Sequence, residues 1–271
     1  MKEAKVIAIS NQKGGVGKTT SSINISAELA RAGFRVLLVD FDPQGSATSG
    51  LGIKRIPGKD IYDMFFGDVS LHDIIVDSCI PTLKVAPASK DLVGLEIELG
   101  KRPGRELILR TELNLLKELF DYVIIDCPPS SGLLTLNALG AAKYVLIPLQ
   151  AEYYALEGIT ALIETISFVK ATYHPGLEIL GVFLTMYDSR TNLSLQVKAE
   201  AESYFGEKFI NILVPRNVKV SEAPSHGLPI CMYDASSTGA KAYKLISDEV
   251  IARTDELADE IHESVPRGTF S

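Results

Sequence analysis

The sequence predicts an α/β fold in which a doubly wound, mostly parallel sheet is flanked by helices. Short apolar runs alternate with amphipathic segments along nearly the whole chain of 271 residues. The first apolar run leads through a glycine-rich segment, residues 13–20, directly into a helical pattern. Two later apolar runs end at Asp40 and Asp126. Acidic residues at those points are expected where parallel strands reach the ligand-binding edge of such a sheet.

The predicted strands are short apolar runs bounded by turn residues. They cover residues 6–9, 36–39, 83–86, 123–125, 144–148, 179–185 and 209–213. Apolar residues spaced three and four apart predict the helices between them. The helices begin after the glycine-rich segment and continue at residues 60–76, 106–120, 156–171, 193–205 and 240–262. Clusters of Pro, Gly and Ser predict loops at residues 43–52 and 215–238.

The chain shows no linker, repeat or low-complexity tract, which favours one domain over two. We therefore expect a single domain over residues 1–265, followed by a disordered tail over residues 266–271. Hydrophobic residues make up 46% of the chain, which suits a globular protein with a substantial core. The three cysteines, Cys79, Cys127 and Cys231, are too scattered for a disulfide framework or a C-x-x-C metal pair.

Location and charge narrow the classes of function further. No apolar stretch approaches the roughly 18 residues of a transmembrane helix, and the N-terminus enters a strand without a signal peptide. We therefore expect a cytoplasmic protein. The formal net charge of −7 argues against a surface coated with basic residues to hold nucleic acid. A local basic patch remains compatible with that charge.

The segment KGGVGKTT has the composition of a phosphate-binding loop. Its glycines allow backbone N–H groups to turn towards an anion, and the helix that follows adds its dipole. Lys18 is expected to contact the outer phosphates, and the Thr19 hydroxyl to bind Mg²⁺. The predicted nucleotide-binding residues of this segment are Lys13, Gly14, Gly15, Val16, Gly17, Lys18, Thr19 and Thr20. The alternative is a glycine-rich turn with two solvated lysines.

Two carboxylates are predicted to reach the same edge of the sheet. Asp126 ends one apolar run, and Asp42 follows Asp40 at the end of another. Carboxylates in such positions can hold a hydrated Mg²⁺, so Asp42 and Asp126 join Thr19 as candidate metal-site residues. The alternative for each is a turn or helix-capping role.

The pattern K-G-G-x-G-K-T, with Gln12 where the ordinary phosphate loop has glycine, resembles the deviant Walker A motif of the ParA/MinD ATPase family. Longer stretches resemble its chromosomal ParA (Soj-like) partition branch. These are D-F-D-P-Q-G-S-A-T-S-G-L-G, D-C-P-P-S-S-G-L-L-T, M-Y-D-S-R-T-N-L and P-R-N-V-K-V-S-E-A-P-S-H-G. The resemblance covers nearly the whole chain and implies a P-loop NTPase-like fold and slow hydrolysis of ATP with Mg²⁺.

The resemblance also implies roles for individual residues. Asp126 corresponds to the Walker B acid, and Asp42 to the Walker A′ acid that positions the attacking water. Lys13 corresponds to the signature lysine that reaches the partner's nucleotide in an ATP-sandwiched homodimer. These parallels make Lys13, Lys18 and Asp42 the candidate catalytic residues. Pro215 and Asn217 lie in the loop that contacts adenine in this branch.

The same resemblance implies the partners. The dimer is expected to bind double-stranded DNA without sequence preference, through Arg190, Arg216 and Lys219. At position 219, lysine keeps a phosphate contact but lacks the bidentate fork of the arginine that relatives often have. A ParB-type protein is expected to stimulate hydrolysis and release the DNA, which implies an association with the nucleoid.

Three other functions are open to this sequence. A MinD-like ATPase that cycles on membranes needs a basic C-terminal amphipathic helix, whereas TDELADEIHE is acidic, so no membrane partner is expected. An iron–sulfur carrier like the nitrogenase iron protein needs clustered cysteines. A phosphate-binding module without turnover would need to lack Asp42 or Lys18, and both are present.

Overall fold

The computed structural model describes residues 3–152 and 157–264. Within these residues, seven strands form one sheet in the order β3-β4-β2-β5-β1-β6-β7. Their bounds are β1 Lys5–Ile9, β2 Val36–Asp40, β3 Val76–Asp77, β4 Leu83–Ala86, β5 Tyr122–Asp126, β6 Tyr144–Gln150 and β7 Glu178–Thr185. All neighbouring strands are parallel except β3 and β4. The predicted doubly wound α/β fold is confirmed.

Helices cover both faces of this sheet. Their bounds are α1 Lys18–Arg31, α2 Ser46–Gly50, α3 Ile61–Phe66, α4 Leu71–Ile74, α5 Leu95–Glu98, α6 Ile108–Leu116, α7 Leu133–Ala141, α8 Glu157–Thr172, α9 Asn192–Phe205, α10 Val218–Glu222, α11 Ile230–Tyr233 and α12 Thr238–Ser264. Short 3₁₀ helices occupy Lys90–Val93, Arg105–Leu107, Gly206–Lys208 and Ala223–His226. Among the described residues, no helix combines the length and the apolarity needed to cross a membrane.

Two apolar cores lie on opposite faces of the sheet. On one face α1 and α12 pack through residues such as Leu29 and Ile246, and on the other α6, α7 and α8 pack through Leu109, Leu139 and Leu162. The central strands β2 and β5 are buried along their whole length and apolar up to the aspartate that ends each, because both of their faces are covered. This explains why the strands appear in the sequence as continuous apolar runs and not as alternating ones.

The predicted strand at residues 209–213 is wrong. Within the described residues, this segment donates one backbone bond to β7, from the Ile210 N–H to the Val182 carbonyl at 2.8 Å, and the next one, from the Val214 N–H to the Leu184 carbonyl at 2.9 Å, comes just after the segment. A single bridge pairs Phe209 with Val182, so no continuous ladder forms. The apolar residues are explained by packing, since Phe209 and Ile210 are buried.

Several helices were not predicted. Residues 215–238, expected to be a loop, contain α10, α11 and a 3₁₀ turn, while α2 lies in the expected loop at residues 43–52. The largest omission is α7, whose buried residues lie all around the helix and include Asn137 and Leu139, so no amphipathic period marks it. The predicted helix at residues 106–120 ends earlier, at Leu116. The tail predicted at residues 266–271 lies outside the described residues.

The sheet brings the expected site residues to one edge. β5 lies between β1 and β2, with Asp126 in register with Ile9 on one side and with Asp40 on the other. The carboxyl ends of these central strands therefore meet beside the start of α1, the position at which open α/β sheets bind their ligands.

Candidate functional site

The glycine-rich loop connects the end of β1 to the start of α1 and is anchored at its base. The Asn11 side chain accepts a hydrogen bond from the Lys13 N–H at 3.0 Å and donates to the Pro148 carbonyl at 2.8 Å. Gly15 and Gly17 have φ angles of 76° and 87°, in the left-handed region that glycine tolerates best. The predicted glycines are therefore required by the path of the backbone at these two positions.

The loop presents bare backbone to a ligand. Apart from the glycine itself and its two chain neighbours, no atom of the described residues lies within 4 Å of the place that a β-carbon at Gly14 or Gly15 would occupy. Among the described residues, no acceptor receives a hydrogen bond from the N–H groups of residues 14–17. Unused N–H donors beside the N-terminus of α1 form an anion-binding concavity, which fits the phosphates of a nucleotide.

Lys18 is the buried cation of the site. Only 6% of its surface is exposed, and its ammonium donates to the Lys13 carbonyl across the mouth of the loop at 3.0 Å. Burial lowers its pKa, while the nearby carboxylates of Asp126 and Asp42 oppose that shift. A phosphate anion in the concavity would provide the charge that a desolvated ammonium lacks.

Two buried carboxylates share the sheet edge behind the loop. Asp126 is fully buried; Ser22 Oγ donates to its Oδ1 at 2.9 Å, while Oδ2 makes no hydrogen bond among the described groups. Burial and the charge of Asp40 raise the pKa of Asp126 to about 8, and the nearby hydroxyls of Thr19 and Ser22 oppose that rise. An orphaned buried carboxylate oxygen is costly, so a bound divalent cation beside it would be strongly favoured.

Asp40 has a structural role. Its Oδ2 accepts bonds from the Thr48 N–H at 2.7 Å and from the Thr48 hydroxyl at 2.6 Å, which fixes α2 against the end of β2. Burial raises the pKa of Asp40 to about 6, although the bonds from Thr48 oppose the rise. Asp42, in contrast, is half-buried and lines the cavity.

The cavity in front of the loop has a volume of about 330 Å³ and is lined by most of the predicted phosphate-binding residues and by Thr19 and Asp42 of the predicted metal set. Lys13, Val16 and the fully buried Asp126 do not line it. The lining residues are Gly14, Gly15, Gly17, Lys18, Thr19, Thr20, Ile23, Asp42, Ser46, Pro129, Met186 and Pro224. Among the described residues, no group of three or more His, Cys, Asp or Glu side chains could hold a metal ion by itself. A magnesium ion here would take most of its ligands from phosphates and water, as Mg²⁺ commonly does.

Met186 was not singled out in the sequence. It follows β7 and has a φ of 50°, the one left-handed non-glycine residue in the described part of the chain. Such backbone strain is tolerated where the surroundings hold a residue in place, often at a functional site. The sequence carries no signal for it, because methionine has no preference for that conformation.

Lys13 is held by a carboxylate of the same chain. Its ammonium lies 3.1 Å from Glu152 Oε2, just beyond the end of β6, and Gln150 donates to the other oxygen of that carboxylate. Both partners are part-exposed. Glu152 was missed in the sequence, where it is 139 residues away from Lys13. Its only signal was its position after an apolar run that ends at this edge.

Pro215 and Asn217 do not line the cavity. Asn217 instead caps α10: its side chain accepts from the Lys219 N–H at 2.8 Å and donates to Thr238 Oγ1 at 2.9 Å. The amide oxygen and the amide nitrogen of this side chain are therefore both engaged in hydrogen bonds within the chain. The predicted contact of these two residues with the base stays a prediction.

The candidate DNA-binding residues are exposed, but carboxylates accompany them. Arg190, with 87% of its side chain exposed, makes a bidentate contact with Asp188 at 2.9 and 2.7 Å. Together with the charge of Arg216, this contact lowers the pKa of Asp188 to about 2. Lys219 pairs with Glu222 at 2.9 Å. The charges of Arg190 and Lys219 are therefore partly neutralised within the chain.

Comparisons with known proteins match most of the chain. The family model described as "AAA domain" matches residues 4–179. The chromosome-partitioning ATPase Soj of Treponema pallidum is 49% identical over 92% of this chain and 98% of its own length. The sporulation initiation inhibitor protein Soj of Bacillus subtilis is 52% identical over the same shares. A solved structure of cobyrinic acid a,c-diamide synthase from Mycobacterium smegmatis, with an ATP analog and magnesium bound, superposes with a TM-score of 0.83 at 38% identity, covering 93% of this chain and 95% of that one.

Proposed function

The chain belongs to the family of Soj and ParA chromosome-partitioning ATPases, and from that premise we propose that it segregates DNA through an ATP-dependent sandwich dimer. It is an ATPase that uses ATP with Mg²⁺. Identities of 49% and 52% to the Soj relatives, against 38% to the synthase structure, favour partition over the chemistry that the synthase is named for. The observation that carries the proposal is the bare backbone of the loop in residues 13–20, which lies at the same sheet edge as the Lys18 ammonium, Asp42 and Asp126.

The residues divide the work of hydrolysis. The loop N–H groups and Lys18 hold the phosphates, and Mg²⁺ would be held by Thr19 and Asp42, which line the cavity, with Asp126 buried behind them. The ion supplies charge neutralisation and orients the phosphates when it is bound. Asp42, the part-exposed carboxylate, orients the attacking water and accepts its proton late. Asp126 and Asp40 keep the edge of the sheet rigid around that water.

Lys13 completes the neighbouring subunit's site. It lies at the front of the loop, outside the concavity that Lys18 closes, so its ammonium can reach a second subunit facing this edge. A cation that arrives only on dimerisation would stabilise the transferring phosphoryl group, as an arginine finger does. In the single subunit, the ion pair with Glu152 holds Lys13 back.

The dimer is also the proposed DNA-binding form. Two copies of Arg190, Arg216 and Lys219 would add their charges on one surface, which offsets the local neutralisation by Asp188 and Glu222. A ParB-type protein would then accelerate hydrolysis, separate the subunits and release the DNA, so that ATP times the association with the nucleoid. The dimer of this chain would contact the DNA backbone, which carries no sequence information.

A membrane-cycling role is disfavoured by α12. Its apolar residues Tyr243, Ile246 and Val250 are buried against the sheet and α1. That face is therefore not available to insert into a membrane.

The proposal is tested by retention of the chain on random-sequence duplex DNA with ATP, with ADP and without nucleotide, at two salt concentrations. We expect retention with ATP alone, weakening steeply as salt rises. Equal retention in all three nucleotide conditions would rule out ATP control of DNA binding.

Arg190→Glu is expected to weaken DNA retention about tenfold or more, because each dimer exchanges two cations for two anions. The ATPase rate without DNA should stay unchanged, since Arg190 does not line the cavity. Asp188→Asn should act in the opposite direction by freeing the guanidinium. Lys170→Glu, an exposed position at the end of α8, serves as the matched control. Equal losses in Arg190→Glu and Lys170→Glu would remove Arg190 from the patch.

Glu152→Gln is expected to lower the protein concentration needed for ATP-dependent dimerisation by about two- to fivefold, the range that a part-exposed ion pair allows. The neutral side chain no longer competes for Lys13. Sedimentation velocity across a concentration series measures the shift, with Glu164→Gln on the exposed face of α8 as the control. Weaker dimerisation in Glu152→Gln would show that this carboxylate supports the dimer instead of opposing it.

A further inference from the structure

A second polar cavity lies at the amino ends of the central strands, opposite the carboxyl ends that form the nucleotide site. It has a volume of about 240 Å³ and is formed where β1 and β5 begin and where β6 is about to begin. Its charged or titratable lining groups are Glu3, Arg110, Lys117, Lys143 and His174. They come from four separate parts of the chain, since Arg110 and Lys117 both belong to α6 and its C-cap, so the fold itself assembles this cluster.

Positive charge dominates the cavity. Among its described lining residues, Glu3 is the one carboxylate, and Lys117 already binds it at 2.8 Å. The Arg110 guanidinium donates to the neutral Tyr173 carbonyl at 3.2 Å. The Lys143 ammonium lies 5.2 Å from the centre of the Tyr144 ring. Neither cation has a carboxylate within 4.0 Å among the described residues, which leaves a surplus of positive charge in a protein whose net charge is −7.

The lowered pKa of His174 is consistent with this surplus of positive charge. Burial, followed by the charges of Arg110 and Lys143, lowers the pKa of this half-buried imidazole. Two half-buried cations that repel a third titratable group are unfavourable unless an anion offsets them.

We propose that this cavity binds the phosphate group of a small phosphorylated molecule. The guanidinium of Arg110 offers a planar fork for two phosphate oxygens, and Lys143, in the bend just before β6, adds a point charge. The volume suits a phosphate with little else attached. Duplex DNA fits less well, because Arg110 and Lys143 are half-buried inside the cavity, whereas a duplex backbone needs cations that protrude.

Inorganic phosphate is the minimal probe, added to the full chain without nucleotide at constant ionic strength. The imidazole signals of His174, assigned with His174→Asn, report binding by NMR at a distance from the nucleotide loop. We expect a saturable shift and a higher pKa of His174 in the phosphate-bound form, since an anion favours the imidazolium. Affinity should fall about tenfold or more in Arg110→Gln/Lys143→Gln, and by less in each single variant.

The control is Lys241→Gln, an exposed lysine in the first turns of α12, which should leave the titration unchanged. Circular dichroism tests whether each variant is folded. If the double variant is not folded, the two single variants are compared with the unsubstituted chain instead. A linear, unsaturated shift, or the same affinity in all the variants, would overturn the proposal. Saturation of the His174 shift by a short DNA duplex but not by phosphate would also overturn it, by assigning the cavity to nucleic acid.

Discussion

Lys18→Ala is expected to abolish ATP binding at the concentrations where the unsubstituted chain is saturated. The ammonium is buried and lies beside the bare loop N–H groups, and among the described residues it donates one hydrogen bond, to the Lys13 carbonyl. Its removal leaves the phosphate charge in the concavity without a buried counter-ion. Losing one partner of a desolvated charge pair costs about 3 kcal/mol or more, which corresponds to roughly a hundredfold in affinity.

Isothermal titration with ATP and Mg²⁺ measures this loss. Lys170→Ala is the matched control because that lysine is exposed at the far end of α8. The fold should persist in Lys18→Ala, since burial of this ammonium is itself unfavourable, as its lowered pKa shows. Affinity within a few-fold of the unsubstituted chain would refute the phosphate-binding role of Lys18.

Asp42→Ala is expected to bind ATP, slow hydrolysis about 10²- to 10⁴-fold and accumulate the dimer. The carboxylate lines the cavity but is not part of the loop that holds the phosphates, so binding should survive. The range of slowing is that of a lost general base or water-positioning group. Because the dimer separates only after hydrolysis in this account, stalled chemistry should leave the subunits closed.

Single-turnover hydrolysis and gel filtration with ATP measure the two consequences separately. Asp68→Ala, an exposed acid in the turn after α3, is the control for loss of a carboxylate elsewhere. A full hydrolysis rate in Asp42→Ala would place the water-positioning group elsewhere. A monomeric elution position with ATP would count against the sandwich dimer.

The sequence was most informative where local pattern and tertiary structure coincide. The strands of the buried sheet are continuous apolar runs, so β2 and β4 could be located to within a residue. The path of the loop could be foreseen because Gly15 and Gly17 are the residues that its positive φ angles require. The edge at which Asp40 and Asp126 meet followed from parallel strand topology.

The sequence was least informative where a role depends on distant partners. Helix α7 carries no amphipathic period because its surroundings are buried on all sides. The pairing of Lys13 with Glu152 joins residues that only the fold brings together. The Asn217 side chain that caps α10 is also held by Thr238, 21 residues away, so this arrangement could not be read from the motif that made Asn217 a candidate for contact with the base. The exposed Arg190 could be singled out, but not its neutralisation by Asp188, which depends on side-chain geometry.

The central claim is that Lys13 acts on the nucleotide of the partner subunit, and complementation between two inactive variants tests it directly. Lys13→Ala keeps Asp42, and Asp42→Ala keeps Lys13, so a mixed dimer contains one complete site if the lysine acts across the interface. We expect each variant alone to be inactive and an equal mixture to recover about a quarter of the unsubstituted rate, since random pairing makes half of the dimers mixed. A mixture no more active than the sum of its two components would show that Lys13 acts within its own subunit or not at all.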